Sequence, residues 1–564
     1  MAWTKEQEAA ITSCGQSLLL SAAAGSGKTA VLVERIIRRL LDKDHPIDIT
    51  ELLVVTFTKA AATEMAQRVG AALTAALAEW DDPAIERQLA LLPAAHISTL
   101  HSFCQDVIRQ YFYTIDVDPA FTIAGEEELN LLRRTVLEDI FLSYYEDDEK
   151  AKILYPLADM FGNEHGDDIL MDTVSRLYDY SRSMAWPDVW LDEGAKAYVI
   201  PDDASIDDMP WGAPMKDQIR RLAQEDAKRY QSMVETLSAR PDFEKVMPML
   251  TAELRSIEVI TQGASWHDIE KAVKSLDFQR LPGLRGLDMS DKDLWEACKT
   301  IRSSVKKELT ESIRDVYFSV SEGDWLEGMR QMAPVMTGLV ALTKDFAVAY
   351  RQAKKEKGWI DFSDLEHFCL AILLDPSSMP ETPVPSAAAK ELRQSFAEIM
   401  MDEYQDTNGV QELIMQLVSR KDNRFMVGDI KQSIYRFRLA DPNLFLQKYK
   451  TFSRDEKATE RCIDLARNFR SAPNILAAVN EVFQAIMTPD AAGMGYGERE
   501  MLYPGRAMPT ADHWVGGPIE AHLVLTDGET SATEEEDDDA RELIAWQSMW
   551  LCCITLNTYD RLKA

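Results

Sequence analysis

The 564-residue sequence has no surplus of positive charge: 61 lysines and arginines stand against 94 aspartates and glutamates, for a formal charge of −33. Attraction of the whole surface to a polyanion is therefore excluded, and any contact with nucleic acid must rest on a local basic strip. Cysteine is sparse. Cys14, Cys104, Cys298, Cys369, Cys462, Cys552 and Cys553 form no CxxC pair and keep no metal-ligand spacing with histidine, which speaks for reduced cytosolic thiols and against a disulfide frame or a zinc site. No run approaches the roughly 20 apolar residues of a bilayer span. The start, MAWTKEQEAA, lacks the basic-then-apolar order of a secretory leader. A cytoplasmic chain with no membrane partner is the expectation.

What is present is enough apolar sequence, 46%, for three or four domains at this length. Short β-like runs alternate with amphipathic stretches near the start, SLLLS at 17–21, LLVVTFT at 52–58 and HISTL at 96–100, the rhythm of a parallel α/β sheet. A long helical pattern follows, and the first rhythm resumes with FAEIMMDEY at 396–404 and RFMVGDI at 424–430. The fold class is therefore α/β. A discontinuous first sheet domain is expected over 1–125 and 351–445, a mainly helical insertion over 126–350, and a partial second α/β domain over 446–564, opened by ERCIDLA and continued by PIEAHLVL. The acidic run EEEDDD at 534–539 reads as a solvated loop, and the composition shifts abruptly beyond Ala545.

Chemistry concentrates in four stretches. In SAAAGSGKT, 21–29, a strand gives way to a loop of Ala22, Ala23, Ala24, Gly25, Ser26 and Gly27 and then to a helix. Backbone N–H groups there can surround the phosphates of ATP, Lys28 can reach the β- and γ-phosphates, and Thr29 can ligate Mg2+. Ala22 occupies the place of the first glycine of the strict pattern, a place that serves the turn; Gly25 and Gly27 allow the close backbone approach. MMDEYQD supplies Asp402 to hold the metal and Glu403 to activate the attacking water, although adjacent acids also suit an ordinary charged turn. In GDIKQSIYRFR, Gln432 can sense a γ-phosphate, while Tyr435 and Phe437, interleaved with Arg436 and Arg438, offer stacking faces and charge to single-stranded nucleic acid. An aromatic core patch with exposed arginines fits the same residues. Lys431, Lys448 and Lys450 would extend the basic strip. NFRSAPNIL places Arg470 to reach a γ-phosphate across a cleft and Phe469 to stack on adenine; a surface ion pair is the plainer role for such an arginine.

In order along the chain these stretches resemble the UvrD-type superfamily 1 DNA helicases, and within them the AddA group, the A subunits of bacterial helicase-nucleases. WTKEQEAAI resembles the adenine-reading motif, with Gln7 as the base contact. VVTFTKAAATEMAQRV, 54–69, is similar to the motif in which Phe57, Thr58 and Lys59 would meet a DNA strand, and STLHSFC to the next, with Thr99 and His101 near the DNA. DVDPAFTI at 116–123 and DFSDLE at 361–366 match two lesser signatures flanking the helical segment. The resemblance runs from Trp3 to Leu476. It implies a RecA-like P-loop motor domain with a large helical insertion and the start of a second RecA-like domain. It also implies ATP and Mg2+ as cofactors, single-stranded DNA and duplex ends as substrates, a B subunit (AddB) as heterodimer partner, and a role in processing bacterial double-strand breaks. Two departures stand out. Ala30 occupies the position after the phosphate-loop threonine where many members carry an arginine against the base, so that contact is absent or supplied elsewhere. The later motifs of the second motor domain and a nuclease domain are not in this chain, which leads to the expectation of slow hydrolysis, or of a truncated nucleotide- and partner-binding module as the alternative.

Overall fold

The computed structural model describes residues 3–162, 166–284 and 288–505. Ten strands occur among them: β1 (Ser17–Ala22), β2 (Leu52–Thr56), β3 (His96–Thr99), β4 (Thr122–Ile123), β5 (Trp359–Ile360), β6 (Glu398–Met401), β7 (Arg424–Gly428), β8 (Glu460–Leu465), β9 (Arg467–Asn468) and β10 (Tyr503–Pro504). Six of these form one sheet in the order β3-β2-β6-β7-β1-β8, every neighbouring pair parallel. The sequence explains why. β2, β6 and β7 are buried at every residue, as befits apolar strands covered on both faces by crossover helices.

Register places the chemistry at one edge. Leu20 pairs with Val427 and Val55 with Met401, so the loops after β1, β2, β6 and β7 all leave from the same carboxyl end, where α/β sheets bind ligands. Three helices are anchored there: α1 (Lys5–Thr12), α2 (Lys28–Leu40) and α3 (Lys59–Trp80). Arg35, buried in the second turn of α2, donates through Nε to Glu398 at 2.7 Å at the far end of β6.

One expected boundary is corrected. ERCIDLA was expected to open a second domain, yet β8 pairs along its whole length with β1, from Ser17–Glu460 to Ala22–Leu465. β1 is a leucine-rich strand that would otherwise leave one backbone edge unpaired, and β8 completes it. The expected strand PIEAHLVL, the acidic run and the tail lie outside the described residues.

Two lesser signatures find a physical role. β4, from DVDPAFTI, pairs with β5, immediately before DFSDLE, through Thr122–Trp359 and Ile123–Ile360. The two ends of the long helical segment are thus zipped together.

The described residues form two compact units, one from 3–148, 166–190 and 343–505, the other from 149–162, 191–284 and 288–342. The first contains the sheet. The second is helical around its own core of Trp266, Tyr230, Phe243 and their neighbours. Helix Glu322–Lys357 is long and apolar enough to cross a membrane by length and composition, contrary to the expectation that no segment reaches that measure. Thr337, Gly338, Thr343, Lys344 and Asp345 interrupt its apolar residues, so the average is high without a continuous apolar run. Among its large residues, Leu339 and Leu342 are buried in the helical unit and Phe346 and Tyr350 in the sheet unit, while Val348 is exposed.

Candidate nucleotide and nucleic-acid site

The glycine loop is shaped where glycine is needed. Gly25 has φ 69° and Gly27 φ 84°, both in the left-handed region that costs a side-chain-bearing residue. Ala22 remains in the β1 ladder opposite Leu465 and needs no such freedom. α2 then starts at Lys28 with no side-chain cap. By contrast, Thr4 caps α1, Thr58 caps α3 and Thr99 caps the helix Leu100–Tyr111. The first N–H groups of α2 are therefore available to an anion. Beside them the Ser26 hydroxyl is buried without a hydrogen-bond partner among the described residues.

Across the sheet edge stand the acids. Asp402 leaves β6 with its N–H on Val55 O at 2.9 Å. Glu403 then takes a left-handed turn at φ 50°, a conformation worth about 1 kcal/mol of strain in a residue with a Cβ. That turn aims Glu403 Oε2 to within 3.3 Å of Lys28 Nζ, 375 residues away in sequence. Burial and the neighbouring Glu403 push the Asp402 carboxyl up to about 6, and burial with the same glutamate pushes Asp406 up to about 6. Three crowded carboxyls and one ammonium leave a site short of positive charge. A carboxylate such as that of Asp402 and a hydroxyl such as that of Thr29 are of the donor type that an ion such as Mg2+ takes from a protein when phosphates supply the rest.

Two residues of this site were missed by sequence reasoning. Gln405, 1% exposed, donates to Glu403 Oε2 at 2.9 Å and accepts from the Asp429 N–H at 2.9 Å. Gly428 leaves room for it: a Cβ there would lie 2.4 Å from Gln405 Oε1. Gln405 thus ties the Glu403 turn to the end of β7, where Asp429 accepts from Gln432 Nε2 at 2.8 Å. Asn468 is the second. Its amide donates to Ala24 O at 2.7 Å and accepts from the N–H groups of Arg470 and Ser471 at 2.8 and 2.7 Å. The only sequence signal for either was its place inside a motif already singled out for other residues.

Asn468 brings the NFRS stretch onto the glycine loop. Phe469 N donates to Gly25 O at 2.9 Å, and a Cβ on Gly25 would lie 3.0 Å from Arg470 Cβ. Arg470 therefore sits beside the phosphate loop. Gln7 lies on the other side, its Oε1 accepting from Thr4 N and its Nε2 donating to Ser26 O, both at 3.0 Å. One N–H and one lone pair remain on that amide for a base. Gln7 and Phe469 line a cleft of about 440 Å³, together with Ser26, Arg467 and Tyr503 among others.

Aromatic residues gather at the ends of β2 and β7. The rings of Phe57 and Tyr435 are 4.5 Å apart, those of Tyr435 and Phe437 5.8 Å, and the Arg438 guanidinium lies 5.4 Å from the Tyr435 centroid and 5.7 Å from that of Phe437. Phe437 is 75% exposed, so this is a surface cluster and not a core patch. Lys59 opens α3 exposed. Thr58 and Thr99 already accept backbone hydrogen bonds as caps. His101 contacts the buried Glu366 at 3.1 Å and meets the exposed Phe362 edge-on at 5.0 Å. The extended basic strip is corrected: Lys431 pairs with Asp429 at 2.9 Å and Lys448 with the buried Glu412 at 3.0 Å, while Lys450 donates to Gly493 O. Neighbouring acids consume the first two charges.

Fold and geometry together define an α/β protein with a phosphate-loop turn at the carboxyl edge of a parallel sheet. Residues 3–453 match the family described as UvrD/REP helicase N-terminal domain, and the chain belongs to that family. It is 41% identical over 96% of its length to the A subunit of the ATP-dependent helicase/nuclease of Desulforamulus reducens. The corresponding A subunits from Geobacillus thermodenitrificans and Oceanobacillus iheyensis are 42% and 40% identical over 95% of it. The chain spans 43% of the length of each of these relatives.

Proposed function

We propose that this chain is the ATP-hydrolysing part of a DNA translocase: a RecA-like motor domain with a helical insertion, continuing into a second such domain beyond β8. The observation that carries the reading is Lys28 Nζ, 3.3 Å from Glu403 Oε2, at the uncapped start of α2. Here a phosphate-binding ammonium and a carboxylate base share one edge.

The roles follow from placement. Phosphates entering over Gly25 to Thr29 compete with Glu403 for the Lys28 ammonium, and a polyphosphate, with more charge and more acceptors, takes it. Glu403 is then released to orient and deprotonate a water, its turn fixed by Gln405. Thr29 and Asp402 would hold Mg2+, which would supply neutralisation of phosphate charge. Gln432, linked through Asp429 and Gln405 to the base, reports on the γ-phosphate, and Arg470 stabilises the charge that develops there. Gln7 and Phe469 take the adenine. A DNA strand lies over Phe57, Tyr435, Phe437 and Arg438, with Thr58, Lys59, Thr99 and His101 along its path; the strand contributes stacking, which the acidic surface does not oppose. In the whole protein, unwinding of duplex ends, trimming by a nuclease and assembly with a B subunit in the bacterial cytoplasm extend this proposal.

The test is ATP turnover by residues 1–564 with and without single-stranded DNA. DNA-stimulated turnover that Glu403→Gln abolishes while ATP binding persists supports the reading. A chain whose ATP affinity is indifferent to DNA, and which does not bind DNA, is a nucleotide-binding module instead.

A further inference from the structure

Position 30, directly after the phosphate-loop threonine, is an exposed alanine that brings no cation to the base. The cleft beside the loop nevertheless has an arginine in its wall. Arg467 pairs through its backbone with Tyr503 and lines the same cleft wall as Phe469. Phe469 is held there from behind: a Cβ on Gly505 would lie 2.6 Å from its ring, so glycine is what lets the chain lie against it. Glu6 and Asp464 line the cleft too, and Asp464 is already engaged by Arg454 at 3.5 Å. Two carboxylates at this end disfavour a phosphate. Among the described residues Arg467 makes no ion pair of its own. An aromatic ring and a planar cation in one cleft suit a flat, uncharged, π-rich occupant.

We propose that Arg467 clasps the nucleobase: a purine stacked on Phe469 is covered by the Arg467 guanidinium, which supplies from β9 the cation that Ala30 does not. The assignment rests on the nucleotide-binding reading above and adds a specificity-determining residue to it.

The experiment compares the equilibrium affinities of residues 1–564 for Mg·ATP and for ribose 5-triphosphate, which has the phosphates and no base. Four proteins are measured: the unaltered chain, Arg467→Ala, Arg467→Lys and Phe469→Ala. Arg467→Ala is expected to weaken ATP about 5- to 30-fold and to leave ribose triphosphate within about twofold. Arg467→Lys, which keeps the charge and loses the plane, stays weak. If Phe469→Ala weakens ATP while Arg467→Ala does not, the base site stands and the Arg467 assignment falls. Equal losses for both ligands, or full recovery with lysine, would make Arg467 a point charge for phosphate and overturn the clasp. Failure of the unaltered chain to bind either ligand removes the nucleotide reading itself, and the clasp with it.

Discussion

Asp402 is the residue whose environment states its purpose most directly. Its folded-state value of about 6 lies above the ordinary 3.8, because burial and Glu403 both disfavour the anion. A carboxyl with a raised value favours the fold fully only below its unfolded pKa, and that contribution is lost as pH rises through about 6. Asp402→Asn is therefore expected to stabilise the sheet unit at pH 7.5 by on the order of 1–2 kcal/mol, allowing for solvent at the site's mouth. The gain shrinks as pH is lowered toward 5. Urea unfolding of both proteins at the two pH values checks this, and ATP turnover by the variant is expected to vanish throughout. Stability given up at one carboxylate fits the cation-holding role proposed for it. Glu403 carries the complementary expectation: Glu403→Gln frees Lys28 from a full ion pair and should tighten Mg·ATP binding about three- to tenfold while stopping hydrolysis, read by titration with ATP under non-turnover conditions.

At the scale of elements, β9 and the glycine loop are joined by the side chain of one asparagine. Asn468 is 3% exposed and makes three hydrogen bonds to backbone groups. Asn468→Ala leaves those groups short of partners, at a cost of about 2–4 kcal/mol. Amide exchange should quicken at 24–27 and 467–471 while the ladder between β1 and β7 keeps its protection. Turnover falls because Arg470 is no longer held beside the loop. The β2 and β7 ends make a second pairing of elements, through Phe57 and Tyr435. Tyr435→Ala is expected to weaken single-stranded DNA about tenfold, one stacked base's worth. ATP affinity measured without DNA should not change, since neither ring lies in the base cleft.

At the scale of the whole molecule, the helical unit has a core of its own, so damage to it should stay local. Trp266 is 1% exposed and its ring lies 4.8 Å from Phe318. Trp266→Ala is expected to cost about 3–5 kcal/mol within that unit. Differential exchange should rise across 191–284 and 288–342 and remain unchanged at β1, β6 and β7, with ATP affinity of the sheet unit preserved. Loss of exchange protection in the sheet strands would instead show that the two units fold as one.

Local chemistry is what the sequence by itself determined. Apolar runs bounded by turn residues marked β1, β2, β6 and β7, because a strand covered on both faces is largely apolar; β3 and β8 were read from the partly polar runs HISTL and ERCIDLA. The turns at Gly25 and Gly27 and the meeting of Lys28 with Glu403 were legible as geometry, because the motifs place those residues just past strand ends; their phosphate and metal roles belong to the proposal. The two-residue pairings of β4 with β5 and of β9 with β10 were not legible, since two residues carry no periodicity. The tertiary structure alone decided which partners meet. It returned β8 to the first sheet, satisfying the open edge of β1. It also neutralised Lys431 with Asp429 from its own stretch and Lys448 with Glu412, 36 residues earlier, and gave Gln405 and Asn468 their work as ties. The β1–β8 and Asn468–Ala24 pairings join residues more than 400 positions apart, and the nearer ties depend on which side chains burial brings together; a linear pattern carries no record of either.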